Sequence, residues 1–526
     1  MMKFEIIDVQ TRNITIELEN EYAFEMDKEV AAFVDGKKVG DFKRNVICLD
    51  CLEPGKEYEI KVADSEGIEA SKKARTKEET VLFDVKQFGA AGDGKKNDTA
   101  AIQAAISACP AGGTVYFRQG AYLSGPLFLK SNINIWLDDG AVLTGDPDRE
   151  HYPMLPGMTL STDEKSEYNL GTWEGNPLSC FASLITGIEV ENVSIFGKGM
   201  IDGNAGAGDW WVDAKKKRTA WRPRIIFLKG CKNITLQGIT VCSSPSWTIH
   251  PYYSDGVNII GLKILNPDNS PNTDGIDPES CSDVKIIGTN ISVGDDCIAI
   301  KSGKYYMALN HYKKTENVVV RNCRLNRGHG SVTVGSECSG GVSGVRVSRC
   351  IFDSTDRGLR IKTRRGRGER SVLEDIVFED IEMKGVRMPF TVNMFYFCDP
   401  DGHSDYCQSK EALEVNEMTP CIKGITARNI KCSDVDVSLL AVYGLPEAKV
   451  NEITLENITA EFKPENDRTP EVPVMMDGLD KMSGKGILAR NVKKLVIKNT
   501  IIRGSADSEA DIEDTDIKDI ENLRYE

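Results

Sequence analysis

The stretch Glu191-Asn192-Val193-Ser194-Ile195, ENVSI in one-letter code, is one unit of the repeat that decides the fold. Polar and apolar residues alternate within it, which is the pattern of a β-strand with one buried face. Related units are KNITL at 232–236, DGVNI at 255–259, SDVKI at 282–286, ENVVV at 316–320, SGVRV at 343–347, EDIVF at 374–378, KGITA at 423–427 and NEITL at 451–455. One such unit cannot bury its apolar face alone, so the units are expected to stack.

The spacing of these units indicates the kind of stack. The closest neighbours are about 23–28 residues apart, and longer intervals indicate inserted loops. Leucine-rich repeats have a similar period, but their leucine spacing is missing here. The sequence therefore predicts an all-β fold, a right-handed parallel β-helix built of stacked coils. We expect the helix Thr99–Cys109 to cover one end of the stack and the acidic C-terminal tail to cover the other.

The first 78 residues have a different pattern and predict a separate, smaller domain. FEIIDV at 4–9 and NITIEL at 13–18 alternate with period two, as β-strands do. Tyr58 lies four residues beyond Pro54 in LEPGKEYEIKV, which resembles the tyrosine corner of fibronectin type III domains. We expect residues 1–78 to form a fibronectin type III-like β-sandwich that acts as a spacer or brace. The β-helix domain is expected to span 82–526.

Composition excludes several classes of function. The net charge of −15 argues against nucleic acid as a partner, since phosphate binding needs a basic surface. No apolar run reaches the length of about 18 residues expected of a membrane helix. The fifteen cysteines mostly stand singly in apolar segments, like buried free thiols, and the first residues lack the apolar core of a secretory signal. We expect a cytoplasmic protein, or a secreted one if a leader was removed. Nothing in the sequence indicates the oligomeric state.

Four short motifs carry the candidate chemistry. They are Asn272-Thr273-Asp274, Gly294-Asp295-Asp296, Gly328-His329-Gly330 and Arg360-Ile361-Lys362. Asp274 and Asp295 are about one coil apart, which predicts that they lie on neighbouring rungs of one sheet. Asp295 and Asp296 can face the same cleft only if the backbone bends, and Gly294 makes such a bend plausible. Three carboxylates, one histidine and two cations would suit the hydrolysis of an acidic sugar.

These motifs, their order and their spacing resemble glycoside hydrolase family 28, the polygalacturonases, over roughly residues 82 to 500. The resemblance implies inverting hydrolysis of a galacturonate-containing saccharide without a metal or cofactor. Asp295 would be the general acid, and Asp274 and Asp296 would activate water at a separation of roughly 6.5–9.5 Å from the acid. His329 would tune the acid or position the substrate.

Further residues are candidates for binding the substrate. Arg360 and Lys362 share a face and could grip a galacturonate carboxylate. The run 357–370 has seven basic residues and one acid, which favours an anion-binding subsite. The other candidates are Asn272, Lys301, Arg365, Tyr396 and His250. Long insertions at 151–179 and 393–420, the second of which resembles bacterial exo-acting members of the family, could wall off one end of the groove. We therefore favour exo over endo action.

Other functions remain open at this point. A family 28 hydrolase could also act on rhamnogalacturonan or xylogalacturonan. A calcium-dependent lyase on the same fold would need a carboxylate cluster around a cation and an arginine base, and the histidine and Arg-Ile-Lys motifs favour hydrolysis instead. A β-helix could also serve as a non-catalytic adhesin or sugar-binding module, for which Asp295→Asn would have no effect.

Overall fold

The repeat units stack in register as the spacing predicts. The computed structural model describes residues 2–526, and from Leu82 onward its strands form parallel sheets wound into a β-helix. The first apolar residue of each unit pairs with that of the next, in the order Val193, Ile234, Val257, Val284, Val318, Val345, Ile376, Ile425 and Ile453. Each of these side chains is buried in one continuous core. The predicted fold class is confirmed.

Each coil contributes strands to as many as three sheets. The first sheet contains Leu82–Asp84, Thr114–Phe117, Asn134–Leu137, Glu191–Gly197, Lys232–Gln237, Asp255–Ile260, Ser282–Ile287, Thr315–Arg321, Val342–Ser348, Val372–Lys384, Ile425–Val435, Val450–Phe462, Lys485–Arg503 and Asp511–Tyr525. The second contains Asp93–Asn97, Gly120–Ser124, Ala141–Gly145, Met200–Asp202, Thr240–Cys242, Lys263–Leu265, Asn290–Ser292, Arg324–Asn326 and Ile351–Asp353. The third contains Leu127–Phe128, Ile185–Ile188, Ile226–Lys229, Ile249–Tyr252, Ile298–Ile300, Val332–Val334, Arg357–Lys362, Met388–Asn393 and Ser438–Tyr443. This third sheet positions the candidate site.

The two ends of the stack differ. The helix Thr99–Ala108 packs Ile102, Ala105 and Ile106 onto the core of the first coils, as expected. The acidic tail covers the other end, as expected, and does so as a final strand whose Ile512, Leu523 and Tyr525 pack against the core. Asp511–Tyr525 is itself the last strand and pairs with Lys485–Arg503 on one side. Its acidic residues remain exposed, and charge on an open edge strand discourages pairing with other chains.

Three insertions stand beside the third sheet. The first carries two strand pairs, Met154–Leu155 with Cys180–Phe181 and Met158–Leu160 with Glu167–Asn169. The second follows Met388–Asn393, contains the helix Asp405–Gln408 and ends at the strand Cys421–Ile422, which pairs with Val372–Lys384 in the first sheet. The third follows Val450–Phe462 and contains the short helix Glu465–Asp467. The remaining helices are Val85–Phe88, Arg149–His151, Ala205–Ala207 and Tyr305–Asn310. Within residues 2–526, no helix combines the length and apolar character needed to cross a membrane.

The N-terminal strands form two antiparallel sheets around their own core. One sheet contains Phe4–Val9, Ile14–Leu18 and Val46–Leu49, and the other contains Lys37–Arg44, Glu25–Val34, Glu57–Ala63 and Glu69–Arg75. Tyr58 is buried, and its hydroxyl accepts a hydrogen bond of 2.8 Å from the backbone N–H of Glu53. This bond is what a tyrosine corner provides, since it ties the chain back on itself at the edge of the sandwich.

The sandwich is fastened to the back of the β-helix by a buried ion pair. Glu17 accepts hydrogen bonds of 2.7–3.0 Å from Arg321, 2.9 Å from Arg349 and 2.6 Å from Asn322. Arg321 and Asn322 lie on the coil that carries His329, and Arg349 lies on the next coil. The contacts suit the predicted brace.

Candidate active site

The four motifs come together in one cavity on the outer face of the third sheet. Its volume is about 910 Å³. The motif residues that line it are Asn272, Asp274, Asp295, Asp296, His329, Arg360 and Lys362. The β-helix brings them together because successive coils place equivalent positions about 4.8 Å apart along the sheet.

The Asp295-Asp296 pair faces the cavity because the chain bends before the strand Ile298–Ile300. Gly294 lies in this bend and packs so closely that a Cβ atom there would be 2.5 Å from the carbonyl oxygen of Ser270. Any other residue would push the two loops apart. The structure thus has the bend at Gly294 that the sequence required for both carboxylates to share one cleft.

The three carboxylates are closer together than we expected. One oxygen from each of Asp274, Asp295 and Asp296 lies within 4.8 Å of the others. An acid and a base separated by roughly 6.5–9.5 Å had been expected. The nearest oxygens are closer because the carboxylates come from one bend and from the adjacent coil. Such a cluster could bind a metal cation, but both carboxylate oxygens of Asp296 already accept hydrogen bonds from basic side chains.

Those basic side chains are Arg360 and Lys362. Arg360 donates to Oδ1 of Asp296 at 3.0 Å, and Lys362 donates to Oδ2 at 2.8 Å. All three side chains are nearly inaccessible to solvent. Burial alone would raise the pKa of Asp296, but the charges of Lys362 and Arg360 hold it well below its usual range. Asp296 is therefore a fixed anion.

Asp274 has a different environment. Burial, followed by the negative charge of Asp295, raises the pKa of Asp274 well above its ordinary value. The ammonium of Lys301 opposes this rise from 4.0 Å. Lys301 also lies 3.1 Å from Glu337 and 3.7 Å from Asp277, both buried. One buried lysine, which three acids share, thus limits how far the pKa of Asp274 is raised.

Asp295 is paired with His329. The Nδ1 atom of His329 lies 3.3 Å from Oδ1 of Asp295. The hydrogen bond with Asp295 raises the pKa of His329. Burial would raise the pKa of Asp295, but the bond to His329 lowers it below the ordinary value. The pair therefore shares one proton, which His329 carries.

Two of the binding residues suggested by the sequence lie outside the cavity. His250 is fully buried beneath it, with Nε2 3.0 Å from Glu279, and cannot contact a substrate. Arg365 is 1% exposed and is held by Glu447 and by backbone carbonyls. Both predictions are corrected for the same reason, since residue type did not reveal that an internal partner satisfies each side chain. Asn272, Lys301 and Tyr396 do line the cavity.

Sequence reasoning also missed residues that shape the site. Arg222 donates to Oδ1 of Asn272 at 2.7 Å and to the carbonyls of Pro245 and Pro271 at 2.6 and 2.8 Å. It holds the loop that presents Asp274, and no motif marks it. Asp277 and Glu337 lie three and seven residues after the motifs Asn272-Thr273-Asp274 and Gly328-His329-Gly330, so their positions gave a signal, but the sequence alone assigned them no role.

Comparison with known proteins identifies the family. The model of glycosyl hydrolases family 28 matches residues 149–477, and a model named rhamnogalacturonase A/epimerase, pectate lyase-like, matches residues 82–165. A probable polygalacturonase of Vitis vinifera is 30% identical over 402 residues, which cover 74% of this chain and 77% of that protein. An endo-polygalacturonase of Pectobacterium carotovorum subsp. carotovorum is 30% identical over 375 residues, which cover 68% of this chain and 83% of the relative.

Solved structures agree with the fold. The family 28 exopolygalacturonase of Yersinia enterocolitica superposes with a TM-score of 0.70 at 18% identity, covering 99% of this chain and 98% of the other. A hyperthermoactive exopolygalacturonase from Thermotoga maritima gives a TM-score of 0.66 at 25% identity, covering 81% of this chain and 92% of the other. The chain is a glycoside hydrolase and belongs to glycosyl hydrolase family 28.

Proposed function

We propose that the protein hydrolyses α-1,4-galacturonosidic bonds in homogalacturonan or oligogalacturonides. The observation that carries this proposal is the pairing of Arg360 and Lys362 with a cluster of three carboxylates inside one cavity. The carboxylates supply acid and base, and the two cations can hold a carboxylate of the substrate next to them. Relatives named as polygalacturonases support this substrate class.

In the proposed mechanism, Asp295 protonates the glycosidic oxygen as the bond to the anomeric carbon breaks. In the free protein this proton is on His329. When the substrate is bound, the proton passes from His329 to Asp295 and from Asp295 to the glycosidic oxygen. Asp274 and Asp296 orient a water molecule on the opposite face of the sugar. Asp274 accepts the proton of this water because its raised pKa makes it the stronger base. Asp296 stays ionised, and its charge is balanced by its two cations. Water attacks directly and the configuration inverts; this outcome rests on the resemblance to family 28, since the nearest oxygens of the three carboxylates lie within 4.8 Å of one another.

Substrate recognition is assigned to the side of the cavity that holds the cations. Arg360 and Lys362 keep N–H donors that do not point at Asp296, and these can bind a galacturonate carboxylate. Tyr396 lies beside both, with its ring centre 5.9 Å from the guanidinium of Arg360 and 5.3 Å from the ammonium of Lys362. Asn272, fixed by Arg222, offers an amide to sugar hydroxyls or to the attacking water.

We favour exo action at a chain end. All three insertions line the cavity, through Trp173 and Glu174 of the first, Phe397 and Asp399 of the second, and Met475 of the third. Walls on several sides suit a pocket that accepts a terminus better than a groove open at both ends. The similarity to an exopolygalacturonase at 25% identity supports this choice, although two relatives are named as endo-polygalacturonases.

A cytoplasmic location is part of the proposal. All fifteen cysteines have free thiols, and ten of them are buried in the described structure, including Cys281, Cys297 and Cys323. Thiols of this number suit a reducing compartment. An exo-enzyme there would trim imported oligogalacturonides, and fractionation of the native cells with an antibody against the protein would test this location.

The experiment that tests the proposed function is product analysis on polygalacturonate with and without a chelator. We expect saturated monogalacturonate from the first time point and no effect of the chelator. A spread of oligomers at the first time point would contradict exo action. Unsaturated products would contradict hydrolysis. If only a rhamnose- or xylose-bearing pectin were hydrolysed, the substrate would be a decorated galacturonan and not homogalacturonan.

A further inference from the structure

Three cations converge on one carboxylate at the end of the cavity away from His329. Asp399 lies 2.7 Å from the ammonium of Lys304, 3.0 Å from Arg364 and 3.0 Å from Arg367. We call these three basic residues the cation cluster. Their side chains are 3–13% exposed, and all four residues line the cavity. This arrangement is that of an anion-binding site with an anion already in it.

The cluster and its carboxylate come from different parts of the fold. Lys304 follows the strand Ile298–Ile300, and the two arginines follow Arg357–Lys362, so the β-helix itself provides all three cations. Asp399 lies in the second insertion. The β-helix thus forms a positively charged site, and the carboxylate of Asp399 from the second insertion occupies it.

The positive charge exceeds what Asp399 needs. Burial opposes ionisation of Asp399, yet the charges of Arg367 and Lys304 hold its pKa far below the ordinary range. Asp401 supplies a second carboxylate to Arg364 at 2.7 Å, but its side chain is 63% exposed. The basic run that the sequence marked as an anion subsite is therefore an anion site in chemistry, and the protein's own side chain occupies it.

We infer that Asp399 ends the groove by standing in for a galacturonate carboxylate, and that the cation cluster is a latent subsite for one more galacturonate unit of the chain. The inference rests on the proposed function, since it explains which charged group limits the groove to a chain end. Without Asp399, the three cations would accept the carboxylate of a longer substrate. We call this residue a specificity determinant because it acts on chain length rather than on the reacting bond.

The first test is a titration that does not depend on how the enzyme cuts a polymer. Sodium formate is titrated into wild type and into Asp399→Ala and followed by calorimetry. We expect a saturable binding event in the variant that wild type lacks. Asp399→Ser also removes the carboxylate and leaves room for formate, and it serves if the alanine variant does not fold. A folded variant that binds formate no better than wild type would overturn the inference.

The second test uses the products from polygalacturonate. Asp399→Ala should release longer oligomers and gain affinity for long substrates by roughly tenfold, the worth of one charge-assisted contact. Added formate should restore the wild-type products by refilling the cluster. Glu414→Ala, which removes an exposed acid of the same insertion that does not line the cavity, should keep the wild-type products. Longer products that formate does not reverse would mean that Asp399 only anchors the loop, which also overturns the inference. Release of oligomers by wild type would instead contradict exo action. That result concerns the proposed function, whereas the formate titration tests the role of Asp399 independently of it.

Discussion

Lys301 provides the most informative perturbation of the site. The sequence suggested it as a substrate ligand, whereas its ammonium lies 4.0 Å from Asp274 and is 5% exposed. A positive charge at that distance lowers the pKa of a carboxyl group. Replacing it in Lys301→Met should therefore raise the pKa of Asp274 and make this residue take up its proton at a higher pH.

The size of the effect follows from the distance. Two unit charges 4 Å apart interact by about 4 kcal/mol at an effective dielectric constant of about 20, equivalent to about three pKa units. Glu337 and Asp277 share the same ammonium and would take up protons when it is removed, which reduces the net change. We expect the acid limb of the kcat/KM profile to move up by about one to two pH units.

The assay is the pH profile of kcat and KM on trigalacturonate for wild type and Lys301→Met. Lys215→Met is the matched control, since Lys215 also lines the cavity but is exposed. A substrate-binding role for Lys301 would raise KM and leave the acid limb in place. An acid limb that stays at the wild-type pH in a folded Lys301→Met would refute the electrostatic reasoning.

Three further predictions concern the ion pairs. Glu17→Ala should lower the free energy of unfolding by about 3 kcal/mol, because its buried carboxylate holds the sandwich, whereas exposed Glu19→Ala should change it little in a denaturant titration. The fall of kcat/KM at high pH should follow the raised pKa of His329, above 6.5, because the shared proton is lost there, and His329→Asn should move this fall to lower pH. Asp296→Asn should be less stable than wild type at neutral pH. Since the pKa of Asp296 is depressed, its contribution is complete above about pH 4, and urea unfolding should show the difference shrinking below that pH.

The fold could be predicted because two patterns in the sequence, the alternation within each strand and the spacing between units, determine it. Alternation of polar and apolar residues fixes which face of a strand is buried, and the spacing of the units fixes their register. The pairing of Val193 with Ile234, and so on up the stack, follows from these two patterns. The place of the acidic tail at the end of the stack could be predicted, but its strand could not, because the charged residues concealed the apolar positions Ile512, Leu523 and Tyr525 that contact the core.

The candidate site could be predicted only where coil spacing applies. Asp274 and Asp296 stand at equivalent positions of successive coils, as do Asp295 and His329, so their proximity follows from the repeat. The proximity of a residue on a coil to a residue on a loop does not follow from the repeat. Arg365 meets Glu447 from 82 residues away, because the path of a loop decides the contact, and no period reports that path.

The measurement that tests the account most directly is turnover of trigalacturonate by wild type and by Asp295→Asn, with ligand binding measured on the same samples. The account predicts saturated products from wild type. The variant should bind trigalacturonate as wild type does and lose at least about a hundredfold in kcat, because it lacks the group that protonates the leaving oxygen. A folded Asp295→Asn with near-normal kcat would contradict the central claim that this carboxyl drives the hydrolysis.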